Sequence, residues 1–64
     1  MNKCKCLQSC SSNDGSFEFK SERFYNFDYV PSNGLSSPFY RVFYNDNSTE
    51  SFSFHIFHKF FKKY

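Results

Sequence analysis

The residue types with the most direct chemistry lie at the two ends of the chain. Cys4, Cys6 and Cys10 read C-x-C-x3-C, and His55 and His58 follow as H-x2-H. Thiolates and imidazoles in sets of four build tetrahedral zinc sites, so Cys4, Cys6, Cys10 and His55 form the one metal candidate. Two features count against it. C-x-C is tighter than the usual spacing of a zinc knuckle, and on a strand His55 and His58 point to opposite faces. The favoured reading is three free thiols in an intracellular chain, with no metal and no cofactor. Three cysteines cannot all pair within one chain, which also argues against a disulfide-stapled scaffold.

Rings and cations are the second chemical feature. Aromatic residues make up 25% of the chain, with 11 Phe and 5 Tyr. Interleaved with Lys and Arg, rings can stack bases while the cations hold phosphates. Tyr40, Arg41, Tyr44 and His55, with Lys59, Lys62 and Lys63, are the residues suited to a single-stranded nucleic acid. The net charge is only +2 and the pI near 8.5, and Glu18, Glu22 and Asp28 stand among the same aromatic runs. That balance makes nucleic acid the alternative partner rather than the first. The tail FHIFHKFFKKY is basic and aromatic, which suits a membrane interface only if it is a helix. No stretch approaches the ~20 apolar residues of a transmembrane helix. No apolar run follows Lys3 and Lys5, so no secretory leader is expected and the cytoplasm is the expected location. Catalysis has no sequence support: 2 glycines cannot build a dinucleotide or phosphate loop, and nothing resembles a nucleophile elbow.

These side chains need elements to position them. The centre of the chain is PFYRVFY-NDNSTE-SFSFHIFHKFF, two aromatic runs around a polar loop, which is the pattern of a β-hairpin. A turn centred on Asn47 and Ser48 sets Phe43 opposite Phe52, Arg41 opposite Phe54 and Phe39 opposite Ile56. One face then carries Phe39, Phe43, Phe52, Phe54 and Ile56 as core or dimer contacts. A turn at Asp46 and Asn47 pairs Phe43 with Glu50, a poor neighbour. An odd-membered loop pairs Val42 with Phe52 instead. The second strand is expected from Ser51 to about His58. In the alternative, a C-terminal helical turn aligns Phe54, Phe57, Phe61 and Tyr64.

Residues 17–30 read FEFKSERFYNFDYV, with Phe17, Phe19, Tyr25, Phe27 and Tyr29 alternating against polar positions. Ser21, Arg23 and Phe24 break the rule. A bulged strand, two strands with a tight connection, or a short helix all fit, with strand favoured at both ends. Pro31 and Pro38 bracket Asn33-Gly34, so this strand stops near Val30 and the next begins near Phe39. Residues 1–16 are polar and read as a flexible arm ending in an Asn13-Asp14-Gly15 turn.

The expected fold is therefore mainly β: an antiparallel meander of about three strands over residues 17–64, behind a polar arm over residues 1–16. A single sheet has two faces and no second layer, so a homodimer through the aromatic face is expected. With no catalytic signature, the expected function is protein binding, with Tyr25, Tyr29, Leu35, Tyr40, Arg41 and Tyr44 as contacts. The Phe-, Tyr-, Asn- and Lys-rich composition points to an AT-rich genome. Small size and that composition together point to a phage-type inhibitor of a larger host protein.

Overall fold

The computed structural model describes residues 2–64. The chain is mainly β, with more strands than the three expected. Strands β1 (Asn2–Cys6), β4 (Phe24–Val30), β5 (Phe39–Asn45), β6 (Ser48–Ser53) and β7 (Phe61–Lys63) form one antiparallel sheet in the order β6-β5-β4-β1-β7. β2 (Cys10–Ser11) and β3 (Glu18–Phe19) form a separate two-stranded ribbon, and α1 (Phe54–Phe60) joins β6 to β7.

The segment read as a flexible arm enters the sheet. β1 lies between β4 and β7, with Cys4 opposite Tyr25 on one side and Lys63 on the other. The reason is the alternation Asn2-Lys3-Cys4-Lys5-Cys6. Successive strand side chains take opposite faces, so Cys4 and Cys6 go into the core while the lysines remain outside. Free cysteine behaves here as a small hydrophobe. Asn13-Asp14-Gly15 forms the expected turn, now as the tip of the β2–β3 ribbon. The Asp14 carboxylate accepts from Ser12 Oγ at 2.8 Å, Ser16 Oγ at 2.7 Å and Ser16 N at 3.0 Å.

The irregular centre of residues 17–30 is a tight connection between β3 and β4. Arg23 N donates to Lys20 O, and Glu22 takes the left-handed conformation at φ 72°. The prolines act as read: β4 ends at Val30 and β5 starts at Phe39. Between them Asn33 Oδ1 accepts from Leu35 N, Ser36 N and Ser36 Oγ, each at 3.1 Å.

The hairpin register differs from all three weighed above. Asn45 faces Ser48 across a turn at Asp46 and Asn47, and an irregularity between Phe43 and Asn45 then shifts the ladder. Tyr40 thereby pairs with Phe52, Arg41 with Ser51, Val42 with Glu50 and Phe43 with Thr49. The extra residue removes the Phe43–Glu50 pair that had counted against this turn. It also turns Tyr40 and Val42 inward, at 4% and 0% exposure, and leaves Phe39 and Phe43 on the other face.

The strand expected to run to His58 stops at Ser53. There β6 opposes Phe39, the first residue of β5 after Pro38. Beyond that point no strand among the described residues receives its hydrogen bonds, so the backbone satisfies itself as a helix. A helix of 7 residues is marginal alone. It is held by Phe57, which stacks on Tyr40 at 4.1 Å and on Phe61 at 5.4 Å. Because β6 and β7 lie at opposite edges, α1 must cross the sheet, and it does so on the face that carries Val42 and Phe27.

That face acquires the second layer the sequence argument sought in another copy. The ribbon and α1 cover it, and the core consists of Cys4, Cys6, Phe19, Phe27, Tyr40, Val42, Phe52, Phe57 and Phe61. Phe19 sits at its centre, edge-on to Phe17, Tyr25, Tyr44, Phe52 and Phe61 within 4.9–6.1 Å.

Candidate functional site

Most of the sequence-read contact residues belong to the covered face. Tyr40 is 4% exposed and is a core residue, which removes it from any docking surface. Its hydroxyl accepts from Lys63 Nζ at 3.3 Å. Tyr25 is half-buried and its hydroxyl accepts from Lys20 N at 2.8 Å. Tyr44 stacks on Phe17 at 5.0 Å, and Tyr29 packs on Tyr40 at the same distance. Leu35 projects from the loop at 98% exposure. Of the proposed core or dimer set, Phe52 is in the core, whereas Phe54 and Ile56 stand about half exposed on α1.

The cysteines and histidines do not converge. Cys4 and Cys6 are fully buried and Cys10 is half-buried. His55 is exposed on α1, and His58 Nδ1 lies 2.9 Å from Phe54 O, which places a proton on that nitrogen. Among the described residues, no three metal-ligating side chains come together. Burial pushes the Cys4 thiol up to about 12 and Cys10 to about 11, and it raises Cys6 as well. All three are thus weak nucleophiles near neutral pH.

What the structure does assemble is the opposite face of the sheet, which no second layer among the described residues covers. Alternation assigns it Lys3 and Lys5 of β1, Phe24, Asn26, Asp28 and Val30 of β4, and Phe39, Arg41 and Phe43 of β5. Thr49 and Ser51 extend it on β6, and Lys62 extends it beyond β1. Tyr64 follows, with its N–H donating to Lys3 O at 3.0 Å. Arg41 was read as a contact from the sequence and is found here. Phe39 and Phe43, read as core or dimer residues, are half-buried on this same face.

Rings and cations alternate across it. Lys5 Nζ lies 5.9 Å from the Phe24 ring centre, Arg41 lies 5.6 Å from that of Phe43, and Lys62 lies 5.6 Å from that of Tyr64. Phe24 and Tyr64 meet edge-on at 5.3 Å and are 54% and 65% exposed. Lys3, Phe24, Asn26 and Phe43 line a shallow notch of about 230 Å³ that also reaches Asp46 at the hairpin turn. This is smaller than the ~300–1,000 Å³ of typical small-molecule pockets and suits a single side chain.

The electrostatics of the face are largely internal. Lys5 Nζ is 2.8 Å from the Glu22 carboxylate, which raises the lysine above its ordinary range. Arg41 is 3.2 Å from Asp28, directly across the β4–β5 ladder. Lys3 and Lys62 have no such carboxylate partner among the described residues.

Sequence reasoning missed Phe24, Lys3, Lys5, Lys62 and Tyr64 as members of one surface. The signal was the irregularity at Phe24. It is in phase with polar Asn26 and Asp28, so a strand that buries Tyr25 and Phe27 must present Phe24 outward. Tested against family models, curated proteins and solved structures, the chain matches none of them.

Proposed function

We propose that the chain is a non-enzymatic docking module that engages a larger protein through its open sheet face. The supporting observation is a row of outward rings whose neighbouring charges are already half neutralised. Phe24, Phe43, Phe39 and Tyr64 offer rigid apolar area, and Arg41 adds the residue type that anchors interfaces. The 230 Å³ notch accepts one projecting side chain of the partner. Lys3 and Lys62 at the margin favour a partner whose apolar patch has acidic surroundings. Such a module acts by occupying its target's surface, as a phage-type inhibitor of a host enzyme or defence complex would.

The same rings and cations favour single-stranded nucleic acid as the second reading, since bases stack on rings of this kind. The ion pairs weigh against it. Glu22 and Asp28 occupy two of the four cations on the face, and nucleic-acid affinity rests chiefly on cations free to meet phosphates. Photo-reactive phenylalanine analogues at positions 24, 43 and 56 separate the readings in extract from the source cell. The expected result is one protein adduct of defined mass from positions 24 and 43 and none from position 56. Adducts removed by nuclease, or protein adducts from position 56 alone, overturn the proposal. A thymidine oligomer is expected to bind no tighter than about 100 µM at physiological salt, the weak end of non-specific association.

A further inference from the structure

The sheet has two free edges, and they are built differently. β7 is an edge of three residues, Phe61–Lys63, carrying two lysines. Short length and lysine are the usual means of preventing edge-to-edge pairing. β6 is an edge of six residues, Ser-Thr-Glu-Ser-Phe-Ser, with no lysine, arginine or proline. Its single charge, Glu50, lies toward the covered face, where its carboxylate accepts from Asn13 N at 3.2 Å. Among the described residues, none of 48–52 makes a backbone hydrogen bond outside the ladder to β5, and Ser53 caps the start of α1. Alternate N–H and C=O groups of β6 therefore point outward without a protein partner.

We propose that β6 pairs antiparallel with β6 of a second copy of this chain, about a two-fold axis at Ser51. The register follows from side-chain alternation and charge. A two-fold axis perpendicular to the sheet keeps the covered faces on one side only if residues of like parity oppose each other. Centring on Ser51 sets Ser51 against Ser51, Thr49 against Ser53 and Glu50 against Phe52, a Glu–Phe pair that is tolerable here because the Glu50 carboxylate already accepts from Asn13 N. Centring on Glu50 sets the two carboxylates against each other, which is unfavourable. The Ser51 register instead gives a run of hydroxyl pairs on the open side, and such pairs can hydrogen-bond across strands. A homodimer was expected from the sequence through the aromatic face. Edge pairing leaves that face free and joins two copies of it into one continuous surface on a ten-stranded sheet, twice the five strands of one copy. The inference does not depend on what that surface binds.

Native mass spectrometry and sedimentation at about 50 µM protein test it, because the extent of dimerisation depends on concentration. The wild type is expected to be dimeric. Ser51→Lys and Ser51→Glu, each at an exposed position, are expected to weaken the dimer about fivefold at low salt. An equal mixture of the two variants is expected to recover wild-type association as a heterodimer. Lys62→Glu, on the other edge, is expected to leave the dimer unchanged. A wild-type monomer overturns the proposal, as does a dimer that neither Ser51 variant weakens or a mixture that does not recover. Hydrogen exchange on the wild type provides a check independent of any variant: protection of amides 49–53 must rise with protein concentration, and its constancy also overturns the proposal.

Discussion

On one face of the sheet Phe27, Val42 and Phe52 lie beneath Phe19 of the ribbon and Phe57 of α1; on the other, no element among the described residues covers Phe24, Phe39 and Phe43. Both sets come from alternate positions of the same strands. The covered face consists of ring-on-ring contacts with cysteine and valine filling between them. The open face sets Phe24, Phe43 and Tyr64 each beside a cation, and two of those cations are tied to carboxylates. Aromatic content alone therefore does not mark a core. What separates the faces is whether a strand's ring is in phase with residues that another layer can cover.

The largest test of this contrast is truncation on each side. Phe57→Ala removes a fully buried ring and is expected to cost about 3–5 kcal/mol in urea unfolding. Phe24→Ala removes a ring of the same size and is expected to cost no more than about 1 kcal/mol, because over half of it is exposed already. Equal costs would show that the open face is covered in solution. Phe24→Ala is nevertheless expected to abolish the adduct formed from position 43, which ties its role to docking rather than folding.

The thiols sharpen the same comparison through pH. Cys4 is held at about 12 against an ordinary 9.0, so the folded state keeps its proton where the unfolded chain releases it. The Cys4 contribution to stability is therefore constant below about pH 9 and falls as pH rises above it, toward 12. Alkylation of the native protein near neutral pH is expected to label Cys10 slowly and to leave Cys4 and Cys6 unlabelled until unfolding. Rapid native labelling of Cys4 would place β1 outside the sheet.

The smallest effect belongs to the ribbon tip. Hydrogen bonds from Ser16 and Ser12 hold the Asp14 carboxyl at about 2, below its ordinary 3.8. That contribution is present above about pH 4 and is lost as pH falls through about 2. Asp14→Asn is expected to flatten the acid side of the stability profile over that window by lowering the neutral plateau toward the acid level, with the acid end little changed. Loss of the whole fold in this variant would show that the ribbon is not a separable cover over the core.

Local chemistry was readable wherever it is decided by neighbours in the chain. Pro31 and Pro38 ended and restarted strands because proline lacks a ladder donor, and Asn13-Asp14-Gly15 turned because Asp14 binds the backbone and hydroxyls around it. The mainly antiparallel β character followed from ring-rich alternation. The place of β1 was not readable. Lys-Cys-Lys-Cys alternates clearly enough, yet its partners lie about 20 and 60 residues away in sequence, and a strand is defined by its partners.

The composition and alternation of the chain determined that rings would line both sides of an antiparallel sheet, since side-chain direction in a strand is set by the backbone alone. Only the tertiary structure decided which side is covered. The shift between Phe43 and Asn45 exchanged Tyr40 and Val42 for Phe39 and Phe43 at the core, and the missing strand beyond Ser53 sent residues 54–60 into a helix across one face. Both outcomes depend on hydrogen bonds between segments far apart in sequence, whose energies no local pattern contains.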